Sequence, residues 1–380
     1  MNQDKTFLGT EPVGKLLLKL SVPTVIAQLV NMLYNIVDRI YIGHMPEDGS
    51  LALTGVGVCL PIIMIVSAFA ALVSTGGAPR VSIFMGKNDH ESAEKTLGSC
   101  FTLQVIVSLV LTAVLLLFNR PLLLAFGASE NTIDYAVSYM SVYAIGTIFV
   151  QLTLGMNAFI TAQGFAKTGM LTVLIGAVCN IVLDPLFIFV FDMGIAGAAL
   201  ATALSQLVSF CILAWLFLHG RSIVRVHVRC ISKRPGLYGE ILLVGFPTIC
   251  RQGFASLSSA LLNNAAAVYS DAAVAAVTIS NKVYLLVRSI VIGIGQGFQP
   301  VAGYNFGAGD KKRTRQAFWF SVLLGTAVCI VCAAVISLFP DEIMHFFRDD
   351  AEVTRIGRQA LLYACAVMPL MGYSTYVNQL

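Results

Sequence analysis

Ten separate stretches of this chain are each long and apolar enough to cross a lipid bilayer, which leaves little choice of fold. A span needs roughly 20 apolar residues. The stretches run over 16–43, 51–85, 97–118, 133–163, 168–191, 195–218, 237–269, 272–305, 316–339 and 358–380. The chain is 57% hydrophobic and 12% charged, with a mean hydropathy of +0.82. A soluble domain carries about 25% charged residues to cover its surface. The expected fold class is therefore an all-α polytopic membrane protein. Prolines at 61, 185 and 369 fall inside or near spans, where lipid-embedded bundles tolerate the kinks they cause. The first 15 residues are polar and lack the short apolar core of a cleavable signal peptide.

Charge gives the bundle an expected orientation, because Lys and Arg accumulate in cytoplasmic loops. Sixteen of the 24 basic residues lie at one set of helix ends. They are Lys5, Lys15 and Lys19; Arg80, Lys87 and Lys95; Lys167; Arg221, Arg225, Arg229, Lys233 and Arg234; and Lys311, Lys312, Arg313 and Arg315. The alternate loops are poor in basic residues or acidic, as at Glu47-Asp48, Asp192, Asp271 and Asp341-Glu342. A cytoplasmic N-terminus is expected. The net charge of +4 sits in short loops and does not point to nucleic acid.

A long internal repeat divides the chain. Gly76-Gly77-Ala78-Pro79, Gly86 and Asp89 align with Gly297-Phe298-Gln299-Pro300, Gly307 and Asp310 at an offset of 221. Leu20-Ser21-Val22-Pro23-Thr24 and Gln28 align with Val244-Gly245-Phe246-Pro247-Thr248 and Gln252 at an offset of 224. Solenoid periods are about 20–50 residues. A repeat this long in a membrane chain reads as two related bundles, the plan of many secondary transporters. The expected organisation is a six-helix lobe over 1–220, a basic cytoplasmic linker over 221–236, and a second lobe of four helices over 237–380. The sequence stops at Leu380 within an apolar run. The repeat predicts two further helices, so a truncated chain is expected. The Gly-rich segments at 76–89 and 300–310 are expected to be tight turns at helix exits.

Ionisable and polar residues inside spans are functional candidates because they are costly there, about 2.5–3.5 kcal/mol for a charge at mid-bilayer on insertion scales. Asp38 lies six residues before His44, and Asp184 lies seven before Phe191. At about 1.5 Å per residue the two carboxylates share one depth. Such a pair can share a cation or a proton. Asn180 stands one turn before Asp184, on the same helix face. Thr202 reaches a matching depth in the sixth span, and Asn157 lies deeper in the fourth. Tyr34 is one turn from Asp38, and Tyr139 lies near the outer start of the fourth span. Lys282, about ten residues into its span, is too deep to reach water easily. Arg251 and Arg288 are the other basic residues of these later spans. By the 224 offset, Asp38 corresponds to Leu262.

Enzyme chemistry is not expected. There is no HExxH, no nucleophile elbow, no Cys/His metal cluster and no Walker-type Gly-Lys-Ser/Thr. The nine cysteines are scattered, mostly within apolar runs, and read as packing residues rather than a disulfide framework.

Several segments together resemble the multidrug and toxic-compound extrusion (MATE) family. They are Asn35-Ile36-Val37-Asp38, Ala162-Gln163-Gly164, Asn180…Asp184-Pro185, Gly194…Gly197-Ala198-Ala199…Thr202, and Pro300…Gly303-Tyr304-Asn305-Phe306-Gly307-Ala308-Gly309-Asp310. The resemblance covers the whole chain. It implies twelve helices in two lobes around a central cavity, and export of drugs and organic cations driven by inward H⁺ or Na⁺. No other cofactor is implied. Asp38 and Asp184 resemble the family's coupling carboxylates. Asn180 and Thr202 join them as neutral oxygen ligands; Asn157, Tyr34, Tyr139 and Lys282 are assigned to the substrate cavity. Some members place an acid on the seventh helix, eight residues past its proline; this chain has Ala255 there. The expected setting is a bacterial plasma membrane, with the chain a monomer. A lipid-linked saccharide flippase of the same superfamily, or a non-transporting fragment, are the alternatives.

Overall fold

The computed structural model describes residues 7–45, 49–219, 222–224, 235–347 and 350–377. Thirteen helices occur among them, and no strand. They are α1 (Phe7–Thr10), α2 (Val13–Gly43), α3 (Gly49–Gly86), α4 (His90–Leu117), α5 (Asn119–Ala125), α6 (Ile133–Ala162), α7 (Ala166–Pro185), α8 (Gly194–Leu218), α9 (Pro235–Ala267), α10 (Asp271–Gly307), α11 (Lys311–Leu338), α12 (Pro340–Phe347) and α13 (Ala351–Val377). Ten are long and apolar enough to cross a membrane. The protein is an all-α polytopic membrane protein, as its composition requires. Glu47, Asp48 and most of the basic linker at 221–236 lie outside the described residues.

Helices extend past the apolar runs wherever a cap supports them. The span expected from residue 97 begins at His90, because Asp89 accepts the Ser92 N–H at 3.0 Å. Hydrogen bonds from Ser92, side chain and backbone, hold the Asp89 carboxyl below its ordinary value. Asp310 caps α11 in the same way, accepting the Arg313 N–H at 2.9 Å. The turns before these caps also match. Asn88 has φ 57° and Gly309 φ 79°. The Asp89 N–H reaches the Phe84 carbonyl, and the Asp310 N–H reaches the Asn305 carbonyl, each at 2.9 Å. The turn is shorter than the Gly-rich sequence suggested. Pro79 and Pro300 stand inside α3 and α10, which continue as helix to Gly86 and Gly307. Proline removes one backbone donor and kinks a helix rather than ending it when the surroundings hold both halves.

Shifted by 221 residues, α4 falls on α11 residue for residue, and α5 on the first seven residues of α12. The short α5 and α12 were not foreseen. Each is pinned by one fully buried side chain, Leu123 in α5 and Met344 in α12.

The chain forms two compact units that do not coincide with the halves of the sequence repeat. One unit joins residues 1–29 to 250–380; the other is 30–249. The boundaries fall within α2 and within α9. The first unit has its core on α10, α11, α12 and α13, around Val287, Val291, Cys329, Met344, Leu361 and Met368. The start of α2 packs there, with Thr24 donating to the Gly293 carbonyl at 2.6 Å and Ser21 to that of Ile294 at 3.3 Å. A Cβ on Gly297 would overlap the backbone of Ser21. The second unit has its core on α3, α6 and α8, around Val56, Cys59, Ile133, Met140, Ile195 and Ala198. The start of α9 packs there against α3, with the Thr75 and Thr248 hydroxyls 3.1 Å apart. A Cβ on Gly76 would overlap the Ile241 carbonyl. Gly76 and Gly297 are repeat partners, so one glycine-mediated crossing occurs in each unit. Close backbone approach of this kind is how helices associate in lipid, where apolar burial adds little.

Arg313 has no counterpart to its role in the other unit. Its guanidinium donates to the Asn305 side-chain oxygen at 3.0 Å and to the Glu11 carbonyl at 2.7 Å. Asn305 in turn donates to the Leu8 carbonyl at 3.1 Å. The Gly-Tyr-Asn-Phe-Gly segment thus fastens α1 to the end of α10.

Candidate functional site

The polar centre of the second unit is built from α2, α6, α7 and α8. Asp184 is the penultimate residue of α7 and is wholly buried. Asn180, one turn earlier, is also buried. Its amide donates to Asp184 Oδ1 at 3.0 Å and lies 3.5 Å from Thr202 Oγ1 on α8. Pro185 cannot donate to the carbonyl four residues before it. A single π-helical turn, Leu186–Val190, follows; such turns concentrate at functional sites. Asp38 comes from α2, buried to 9% exposure, one turn after Tyr34. The Asp38 and Asp184 carboxyls interact directly with each other, and Tyr34 and Tyr139 lie within electrostatic range of both. Tyr139 is stacked on Tyr143, centroids 6.1 Å apart.

This centre is rich in acceptors and poor in donors. Asp38 Oδ1, Asp184 Oδ2 and Asn180 Oδ1 are buried without a hydrogen-bond partner. Buried polar atoms are normally satisfied; a proton shared by the two interacting carboxyls, or a small cation between them, would satisfy these oxygens. Among the described residues neither carboxylate takes part in an ion pair; those found lie elsewhere. Arg39 acts on Asp38 through space and is itself exposed. No cluster of three His, Cys, Asp or Glu suited to a metal occurs among the described residues. Two carboxylates with an amide and a hydroxyl can hold a proton or one small hard cation.

The sequence candidates do not all converge. Asp38, Asp184, Asn180 and Thr202 form one centre, with Tyr34 and Tyr139 beside it. Asn157 lies apart: its amide donates to the Gly169 carbonyl at 3.0 Å and to Thr172 Oγ1 at 2.8 Å, tying α6 to the start of α7. Thr172 is twelve residues before Asp184, about 18 Å along a helix. Lys282 is exposed and belongs to the other unit. Sequence reasoning missed Tyr143 and a buried amide pair. Gln104 on α4 donates to the Gln151 backbone and side-chain oxygens at 2.8 and 2.6 Å; Gln151 on α6 donates to the Val66 carbonyl at 2.6 Å. Glutamine in mid-span was the available signal. Gln163 of the Ala-Gln-Gly segment is also buried, and accepts the Val224 N–H at 2.9 Å.

Comparison with known proteins gives the family and the fold. The MatE family model matches residues 23–186 and 247–380. The multidrug export protein MepA of Staphylococcus aureus is 24% identical over 366 residues, 96% of this chain and 80% of that protein. MepA of Staphylococcus haemolyticus is 24% identical over 354 residues, 93% and 78% of the two chains. Among solved structures, a MATE protein in the straight conformation superposes with a TM-score of 0.88 at 24% identity, covering 99% of this chain and 86% of that one. The outward-facing conformation of a multidrug resistance MATE transporter gives 0.87 at 23% identity, covering 100% and 87%. The matched stretches cover most of the chain, and this chain belongs to the MatE family of multidrug efflux transporters.

Proposed function

We propose that the protein is a cation-coupled antiporter that exports drugs and organic cations by alternating access. What carries the reading is the Asp38–Asp184 pair, two buried carboxyls facing each other with unpartnered oxygens and no ion pair among the described residues. In the outward-open state the pair takes up H⁺ or Na⁺, with Asn180 and Thr202 as neutral oxygen ligands. Loading satisfies the orphaned acceptors and favours drug release and return to the inward state. Unloading inside restores the charge, and a new substrate binds. The cycle requires different ion affinities in the two states, since a ligand that binds both equally shifts nothing. Tyr34 supplies aromatic surface for a flat cation, whereas Tyr139 is buried in the core of this unit, stacked on Tyr143. The setting is a bacterial plasma membrane, with a cytoplasmic N-terminus and a monomeric chain.

The test is dye efflux with each ion gradient clamped separately. Asp38→Asn should abolish efflux while leaving the protein in the membrane. Undiminished efflux by that variant sinks the coupling role. Which clamped gradient stops the parent identifies the ion. The saccharide-flippase alternative is not favoured, because a buried acidic pair is suited to a cation and not to an anionic substrate.

A further inference from the structure

We propose that one exposed face of α11 binds the headgroup of an anionic phospholipid. Lys311, Lys312, Arg315, Gln316 and Trp319 line a shallow cleft of about 460 Å³. All five are exposed, whereas Thr314, Ala317 and Ser321 on the other side of the helix are buried. Of the four basic residues in this run, the fold uses one. Arg313 turns inward to Asn305 and the Glu11 carbonyl. Lys311, Lys312 and Arg315 form no ion pair with any described residue. Asp310, the adjacent acid, directs Oδ1 at the Arg313 N–H.

The same face then changes character along the helix. Trp319 is 53% exposed, and it lies two turns, about 12 Å, beyond Lys311. Leu323, Ile330 and Val331 follow, at 71%, 52% and 62% exposure. Cations, then tryptophan, then bare aliphatic side chains is the order of a bilayer from headgroup to acyl chain. Clustered Lys and Arg at the membrane edge attract acidic lipids, and guanidinium pairs with phosphate through parallel hydrogen bonds.

The repeat shows that the fold does not demand these charges. At the matching positions α4 carries His90, Glu91, Glu94, Lys95 and Gly98, with Lys95 paired to Glu91. Cap, turn and helix length are the same in both copies, so a merely topogenic role leaves the contrast unexplained. The site lies in the unit that does not contain Asp38 and Asp184, and its test does not depend on transport.

The chain has two tryptophans, so Trp215→Phe leaves Trp319 as the sole indole reporter. That variant is placed in phosphatidylcholine nanodiscs containing a minor fraction of phosphatidylglycerol. Bromine is carried near the headgroup end of the acyl chains, on either the phosphatidylglycerol or an equal fraction of the phosphatidylcholine. Brominated phosphatidylglycerol should quench Trp319 several-fold more than brominated phosphatidylcholine at equal mole fraction. Adding Lys311→Gln, Lys312→Gln and Arg315→Gln should remove that preference, bringing quenching by the two lipids to the same level. The first comparison needs no change at the site, so it decides even if the triple variant fails to fold. Equal quenching by the two lipids overturns the proposal. So does displacement of the excess quenching by inorganic phosphate, which would assign the cleft to a soluble anion.

Discussion

The starts of α4 and α11 share a backbone plan and differ in charge. Both follow a residue in the left-handed region, Asn88 or Gly309, and both are capped by aspartate, Asp89 or Asp310. On that common frame one copy presents Glu91 and Glu94 where the other presents Lys312 and Arg315. The centres of the two copies diverge likewise: Asp38 has Leu262 as its counterpart. Turns, caps and glycine crossings recur because each is a backbone requirement that both copies must meet. Side chains that face a ligand answer to no such requirement, and there the copies part.

The largest effect expected from this contrast is at the acids. Asp38→Asn or Asp184→Asn should reduce dye efflux to the level of empty vesicles. Adding Leu262→Asp to Asp38→Asn should not restore it, because Leu262 lies in the unit that does not contain Asp184, Asn180 and Thr202. Rescue would mean that the copies are interchangeable after all. Next come the crossings. Gly76→Val and Gly297→Val each force a side chain into backbone, and overpacking costs about 1–3 kcal/mol. Both should lower the thermal midpoint in detergent by comparable amounts; a shift for one only would make the crossings inequivalent. The buried amides come third. Gln104→Leu leaves the Gln151 side chain short of a partner and should cost about 1–3 kcal/mol. The double change with Gln151→Leu should cost less than the sum, by thermal unfolding. The smallest effect is at the caps, where Asp89→Ala and Asp310→Ala should each cause a slight loss of stability. The folded value of Asp89 is depressed, so its contribution is complete above the ordinary carboxylate pKa of about 3.9 and is lost as pH falls through the lowered value. A midpoint difference between parent and Asp89→Ala that persists at the lowest accessible pH would contradict this.

The ten spans were legible because nothing but length and apolarity decides them. Asp38, Asp184, Asn180 and Thr202 were legible as a group because the one-turn spacing on α7 and equal depth fix their meeting. The Gln104–Gln151 pair was not, since which two mid-span amides meet depends on how α4 and α6 rotate about their axes. Asn157 shared the polarity of the site residues yet bonds to α7 about two to three turns before Asn180. The unit boundaries within α2 and α9 left no mark in hydropathy or charge. They follow from a few small residues, Gly76 and Gly297 among them, whose partners cannot be read from a linear pattern.

That division has a consequence for how the protein comes to exist. The first spanning helix leaves the ribosome with half of its length unpartnered. Ser21 must wait for Ile294, 273 residues later. At about 5–20 residues per second that is roughly 15–55 s of synthesis. Thr75 waits 173 residues for Thr248. Throughout that interval the Ser21–Thr24 side of the first unit's seam has only lipid, or an insertase, for company. Biogenesis, more than the finished bundle, is where a bulky residue in that seam should first be felt.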